Sequence, residues 1–304
     1  MVYASIIIPS YNSYQTIGRT LTSIFGLRSL ESLKEVIVVD SSDDGTTREL
    51  LAKFSASLRG DAGSKLKIIL LDKKTSPALG RNKGAGNAQG ELLCFIDSDV
   101  YLDIDWLENI LQAHLSGCQA GSGSVSVPDF QQKSKLALAQ LYLQFNESLE
   151  VGHKRIVAMV PACNMFVERG LFEGAGRFPD IRASEDVLLC LKIGTLSHVW
   201  FVPQARCFHV FRESLGSYFN NQRILGRYII VYRRNLYHKW YYKGFWPLLL
   251  LPGFLFIKIT RIKWRIFKAG WTHYWKFVIS SPLFLAGFWH WAIGFGQGCF
   301  TKEG

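Results

Sequence analysis

Acid is almost absent from the last third of this 304-residue chain. Residues 206–304 carry two carboxylate side chains, Glu213 and Glu303, against 15 Lys and Arg. Residues 1–205 hold 20 Lys and Arg against 22 Asp and Glu. The net charge of +11 therefore belongs to the C-terminal region, and a nucleic-acid-binding surface spread over the molecule is not expected. Charge is also sparse overall, at 19% of residues beside 48% hydrophobic. That balance excludes a disordered or fibrous chain and is apolar for a freely soluble enzyme. Metal-ligand spacing is missing from the cysteines Cys94, Cys118, Cys163, Cys190, Cys207 and Cys299. Several sit in apolar runs, as buried reduced thiols do. An apolar strand pattern starts at Ser5, so no secretory leader is expected, and a reducing cytosol suits the thiols. Asn146-Glu147-Ser148 fits the glycosylation sequon, but nothing else points to secretion.

What is present is an α/β alternation. Ser5–Pro9 is a continuous apolar run, as expected of a strand buried on both faces. Thr16–Phe25 has helical spacing, Glu35–Asp40 is a second strand, and Thr46–Leu58 a helix behind turn chemistry at Ser41–Gly45. Leu66–Leu71 is a third strand, Pro77–Gly90 a Gly-rich helical stretch, and Leu92–Ile96 a fourth strand. This order predicts a doubly wound, mostly parallel sheet whose ligands lie at the carboxyl ends of the strands, where Asp40 and Asp97 sit. Beyond Tyr101 the pattern loosens. Helices are expected at Asp105–Leu115, Leu136–Glu150 and Ser184–Leu196, and strands at Ser122–Val127, Val157–Val167 and Val199–His209.

The sharpest local signal is Phe95-Ile96-Asp97-Ser98-Asp99, an apolar strand running into Asp-x-Asp. Two carboxylates so placed can turn into one cleft and grip Mg2+ or Mn2+, with substrate phosphates completing the shell. An isolated motif of this kind is usually only an acidic turn; its company decides otherwise. Asp40 can accept hydrogen bonds from a base edge or cap the following helix, and both remain open at this level. Glu185-Asp186 opens an apolar helix, where the dipole alone favours acid. Gly84-Ala85-Gly86 lies inside a helical stretch, so it reads as close helix-to-sheet packing and not as a dinucleotide fingerprint.

Taken in order, Ile6-Ile7-Ile8-Pro9-Ser10-Tyr11-Asn12, Glu35–Thr46, Leu79-Gly80-Arg81-Asn82-Lys83-Gly84, Gly90-Glu91 and the Asp-x-Asp resemble the family-2 glycosyltransferases, inverting enzymes of the GT-A fold. The resemblance continues through Asn164-Met165-Phe166, Gly174–Phe178 and Ser184-Glu185-Asp186-Val187, over about the first 210 residues. It implies that Pro9, Tyr11, Asn12, Asp40, Arg81, Asp97 and Ser98 bind a nucleoside-diphosphate sugar, with UDP favoured by family frequency. It implies Asp186 as catalytic base and Asn164 and Glu185 on the acceptor side. It also implies Asp99 and His209 as ligands of Mg2+ or Mn2+, although a histidine held in the core is the plain alternative for His209. The Arg that family members often carry after the helix start is represented by Lys192 nearby, and the Gln-x-x-Arg-Trp motif of processive synthases is absent. Single-sugar transfer is therefore expected. A catalytically silent nucleotide-sugar scaffold and a nucleotidyltransferase are the alternatives.

The tail differs in kind. Residues 245–257 are 13 uncharged residues broken by Pro247, Pro252 and Gly253, too short to span a bilayer; residues 277–296 are 20, long enough. Between them Lys258, Arg261, Arg265 and Lys268 share a helical face opposite Ile259, Ile262 and Ile266, with Lys263 breaking the pattern. This is the signature of a basic helix in the headgroup plane, the alternative being a soluble helical subdomain whose Trp-rich faces pack on the catalytic core. The expected organisation is a GT-A catalytic domain at 1–215, divided into a donor half (1–100) and an acceptor half (101–215), then a helical membrane-associated tail at 216–304. The catalytic part is expected on the cytoplasmic side, with membrane lipids and a lipid-linked saccharide as partners and nucleic acid as none.

Overall fold

The structure, a computed structural model, describes residues 2–301 except Arg182 and His238, and of Asn235 the backbone alone. The last three residues of the 216–304 tail therefore lie outside the described residues. In chain order the elements are β1 (Ala4–Ser10), α1 (Ile17–Phe25), β2 (Leu33–Asp40), α2 (Gly45–Ser57), α3 (Asp61–Lys65), β3 (Leu66–Leu70), α4 (Pro77–Asn87) and β4 (Leu92–Ile96). There follow β5 (Val100–Leu102), α5 (Trp106–Leu115), β6 (Ala120–Ser126), α6 (Lys135–Gln144), β7 (Arg155–Val157), β8 (Asn164–Glu168), α7 (Arg169–Gly174), α8 (Glu185–Leu196) and β9 (Val199–His209). The C-terminal helices are α9 (Leu215–Tyr237), α10 (Trp246–Leu249), α11 (Leu251–Lys268) and α12 (Trp271–Cys299). They fall into two compact units, residues up to 126 with 150–209, and 127–149 with 210 onward.

The first unit is built on one sheet with the path β3-β2-β1-β4-β8-β6-β9-β5, β7 pairing with β9. Its first four strands are parallel. Ile6, Ile7 and Ile8 of β1 and Val36, Ile37 and Val38 of β2 are wholly buried, as a central parallel strand demands. The sheet then becomes mixed, a departure from the mostly parallel expectation. β8 runs antiparallel to both β4 and β6, while β6 and β9 are parallel. The change follows the loss of strand–helix alternation after Tyr101. The expected strand Val157–Val167 is two strands, β7 and β8, separated by a segment containing Pro161, which has no N–H to give to a ladder. Short β5 had no pattern to reveal it; it pairs Val100 with His209 and so brings the end of β9 beside the Asp-x-Asp.

Small residues set the spacing of this unit. A Cβ on Gly84 of α4 would stand 2.4 Å from Ile7 Cγ2, so that helix lies directly on the sheet. A Cβ on Gly123 of β6 would stand 1.6 Å from the carbonyl oxygen of Ala205 in β9. Gly123→Ala is expected to lower stability by about 3 kcal/mol in chemical unfolding, because backbone must move to admit it. At Gly86, exposed on α4 with nothing within 4 Å of the would-be Cβ, alanine is expected to raise stability by about 0.5 kcal/mol.

The second unit is helical. Residues 127–149, placed by sequence in the acceptor half, are tied here by side-chain bonds. The Gln131 side chain donates to the Phe211 carbonyl and accepts from its N–H, both at 2.9 Å, and Gln140 donates to the carbonyl of Arg212. The expected helix 136–150 stops at Gln144, where the Phe145 and Ser148 N–H groups close turns. Ile230, Trp291 and Phe295 form this unit's core. Of the wheel drawn from sequence, Ile262 and Ile266 are buried as expected, but two members of the basic face turn to the protein: Arg265 reaches Glu147 Oε1 at 2.7 Å and Lys258 Nζ lies 3.7 Å over the Trp291 ring.

Candidate active site

At the carboxyl end of β4, Asp97 meets Arg81 of α4. Arg81 Nη2 donates to Asp97 Oδ1 at 2.6 Å, and Arg81 Nη1 donates to Glu185 Oε1 at 2.8 Å. The Arg81 side chain is only 4% exposed and lies over the Phe178 ring, with Nε unpartnered. Burial pulls its pKa down, but the two carboxylates outweigh that and hold the proton more firmly than usual. Arg81 therefore links the Asp-x-Asp turn to the first turn of α8. The approach is fixed by neighbours: Asn82 and Phe178 exchange two hydrogen bonds, and Ser76, the N-cap of α4, donates to Asp180.

Asp186 follows Glu185 in that turn. Its Oδ1 accepts from the Val187 N–H at 2.8 Å and its Oδ2 from the Ala162 N–H at 3.3 Å. Burial first, and then the neighbouring Glu185 charge, push its pKa up from 3.8 to about 6, with Arg81 opposing. A carboxyl poised there can accept a proton near neutral pH. Ser184, just before the pair, has φ +73, and Asn12 has φ +49. Left-handed backbone at non-glycine residues costs energy and is found preferentially at functional sites.

Asp99 Oδ1 lies 3.8 Å from His209 Nε2. Among the described residues no group of three or more His, Cys, Asp or Glu converges as a metal cage. The pair nevertheless fits a hard cation that takes one carboxylate and one imidazole from the protein and its other ligands from a diphosphate and water.

Asp40 is wholly buried. Ser10 and Ser42 hydroxyls donate to its Oδ1 at 2.7 and 2.6 Å, while Oδ2 has no hydrogen-bond partner and lies 3.8 Å from Arg48 Nε. The capping alternative falls elsewhere, since Asp44 accepts from the Thr47 N–H at the start of α2. Above this layer Asp43 accepts from Tyr11 Oη at 2.9 Å and from Asn12 Nδ2 at 2.7 Å. Those bonds, Asn12 first, hold its carboxyl below the ordinary range. Lys74 Nζ stands 3.9 Å over the Tyr11 ring. Sequence reasoning passed over Asp43 and Lys74. Asp43 could have been found, since the second Asp of its pair caps α2 and leaves the first to other work. Lys74, far along the chain, left no local signal.

Ser98 offers its carbonyl to Thr20 Oγ1 at 3.0 Å, and Pro9 lies within β1, where Gly80 of α4 comes close. Asn164, read from sequence as acceptor-side, is entirely buried in the sheet. It accepts from Trp106 Nε1 and gives both amide hydrogens to the carbonyls of Ser124 and Ala205. Its amide is spent on holding β8 to its neighbours, so it acts on the site only by fixing that strand.

The sequence of residues 5–174 matches the family model described as glycosyl transferase family 2. The chain belongs to that family. Glycosyltransferase AglE of Haloferax volcanii is 29% identical over 184 residues, which are 59% of this chain and 56% of that protein. The chain thus spans little more than half the length of AglE, and 16% to 40% of the next four curated relatives it matches. The mannosyltransferase PcManGT of Pyrobaculum calidifontis, solved with GDP-Man and Mn2+, superposes with TM-score 0.66 at 16% identity, over 99% of this chain and 88% of that one. Staphylococcus aureus TarS 1–349, solved with UDP-GlcNAc, gives TM-score 0.55 at 16% identity over 99% and 93%. At such identities the likeness is one of fold, and that fold is GT-A with a mixed sheet.

Proposed function

We propose that this chain transfers a single sugar, with inversion, from a nucleoside-diphosphate sugar to an acceptor hydroxyl. The observation that carries the reading is the Arg81 bridge. It holds the Asp-x-Asp turn against the helix that presents Asp186, a carboxyl with a pKa near 6. The donor lies over the carboxyl ends of β1, β2 and β4, with Pro9, Tyr11, Asn12 and the Asp40–Asp43 layer toward the nucleotide. Asp97 and Ser98 face its ribose or sugar. UDP-sugars are the favoured donors.

Asp186 takes the proton from the acceptor hydroxyl as that oxygen attacks the anomeric carbon from the side opposite the diphosphate. The anomeric C–O bond to the diphosphate breaks, and the nucleoside diphosphate leaves with the bonding electrons. Asp99 and His209 would hold Mg2+ or Mn2+, and a cation there neutralises the charge growing on the leaving group. Glu185 faces the acceptor side and, bound to Arg81, keeps the first turn of α8 in place. The acceptor is read as a lipid-linked saccharide or glycolipid, with the protein membrane-associated and its catalytic unit on the cytoplasmic side. Support for this comes from the basic, aromatic C-terminal region and not from any acceptor-site residue. The domain boundaries drawn from sequence, 1–215 and 216–304, serve the same reading.

The test is release of nucleoside diphosphate from a panel of UDP- and GDP-sugars with Mn2+. Chelation is expected to abolish release, and Mn2+ to restore it. Asp99→Ala is expected to raise the Mn2+ concentration needed for half-maximal activity tenfold or more. Pyrophosphate as product would make the protein a nucleotidyltransferase. Donor binding without turnover of any donor would make it a silent scaffold.

A further inference from the structure

Helix α12 alone, among the described helices, is long and apolar enough to cross a membrane. Its packing within the second unit argues against crossing. Gly226 of α9 and Gly287, Gly294 and Gly298 of α12 leave no room for a side chain. A Cβ on Gly294 would stand 2.0 Å from the Arg223 carbonyl, and one on Gly226 2.0 Å from that of Trp291. Arg223 Nε donates to His290, and Arg234 donates to the carbonyls of Gly298 and Cys299. α12 is thus fastened over its C-terminal half to a helix carrying Arg223, Arg227, Arg233 and Arg234. Arg223, bonded to His290, lies level with the C-terminal part of residues 277–296, where a guanidinium is costly in hydrocarbon.

One patch of the apolar surface left open lies at the turn between α11 and α12, where Gly270 adopts φ +103; Phe256 of α11 and Ile279, Leu285 and Trp289 of α12 are exposed as well. Trp264, Phe267, Trp271 and Trp275 are each more than half exposed. They form one continuous cluster: Trp264 stacks on Phe267 at 6.2 Å, Phe267 meets Tyr274, and Trp271 stacks on Trp275 at 6.2 Å. Lys268 Nζ lies 4.9 Å over the Trp264 ring, and Lys263 and Lys276 are adjacent in the chain. No Asp or Glu occurs between Glu213 and Glu303.

We propose that this turn is a monotopic anchor that inserts Trp264, Phe267, Trp271 and Trp275 into the headgroup–acyl boundary of an anionic bilayer. It rests on the membrane association proposed above and makes it specific. Tryptophan suits that boundary because its ring is apolar and its N–H polar. Lys263, Lys268 and Lys276 meet the lipid phosphates. A charged protein partner fits less well, since cationic side chains surround an apolar centre with no carboxylate in this part of the chain to set a register.

Flotation with phosphatidylglycerol–phosphatidylcholine vesicles tests the anchor on the full chain. Wild type is expected to float with them and about tenfold less with phosphatidylcholine alone. Trp271→Ser with Trp275→Ser is expected to lose tenfold or more in partitioning, while the exposed Leu115→Ser in the first unit matches wild type. Lipids brominated near the carbonyl are expected to quench tryptophan fluorescence more than lipids brominated at the chain ends. The reverse order, in wild type or in a Trp264→Ser variant should the double variant misfold, means a spanning helix and overturns the anchor. If the double variant floats like wild type, the anchor is wrong and membrane association survives. If wild type does not float, both fall, and Trp271-dependent self-association would then reassign the face to a second copy. Donor hydrolysis, measured separately without lipid, reports on the transferase reading alone.

Discussion

Asp186→Asn is expected to lower kcat about a thousandfold, with the donor KM little changed. The amide keeps the shape, but its single oxygen can accept only one of the two N–H bonds that the Ala162 and Val187 backbones make to the separate carboxylate oxygens. It cannot take a proton. In the wild type, activity should rise with pH through about 6, because the base works only when ionised and burial holds its pKa there. Stability should move the other way. An unfolded aspartate loses its proton near 3.8, whereas the folded carboxyl keeps it to about 6. Between those values the folded state binds more protons, so stability falls as pH rises through the window. Asp186→Asn removes the titrating group, so its stability should lose that dependence on pH between about 4 and 6. An Asp186→Asn protein that keeps the wild-type kcat, or a wild-type activity that stays flat through pH 6, would count against Asp186 as the base.

Arg81→Leu is expected to cost about 3 kcal/mol in chemical unfolding, because it leaves Asp97 and Glu185 facing each other without the cation between them. In a thermal scan that corresponds to a fall of about 5 °C. Arg81→Lys keeps the charge but loses the planar fork that reaches both carboxylates, so it should recover part of the stability. The donor KM should rise in both variants, since the Asp97 oxygen bonded to Arg81 would be released. An Arg81→Leu protein as stable as wild type would show that the bridge is not formed.

Much of this site was legible from the chain alone, for identifiable reasons. Strands buried on both faces write themselves as unbroken apolar runs, so Leu92–Ile96 was read from sequence to the residue; Val199–His209 was too, although Gln204 and Arg206 interrupt its apolar pattern. The carboxylates that end such runs, Asp40 and Asp97, were visible for the same reason. Less legible were residues whose role is set by distant neighbours. Arg81 could be read as a cation near the donor, but its burial between Asp97 and Glu185 depends on a contact 104 residues away in sequence. Asn164 sat within a recognisable motif, yet its amide is satisfied by two other strands of the sheet and by Trp106 of α5. The Lys74–Tyr11 contact and the mixed part of the sheet carried no local signature.

The tail divides along the same line. Composition alone established that the last third is basic, aromatic and almost without acid, because charge balance can be counted without a fold. Only the tertiary structure decided which apolar residues are available. The 20 uncharged residues of 277–296 look most like a membrane segment, yet Phe277, Phe284, Phe288, Trp291 and Phe295 are turned inward. The exposed aromatic cluster belongs mainly to the charged stretch before them, while Ile279, Leu285 and Trp289 of 277–296 stay exposed on the other face. A helix presents its faces to whatever packs against it, and no count along one chain reveals which face that will be.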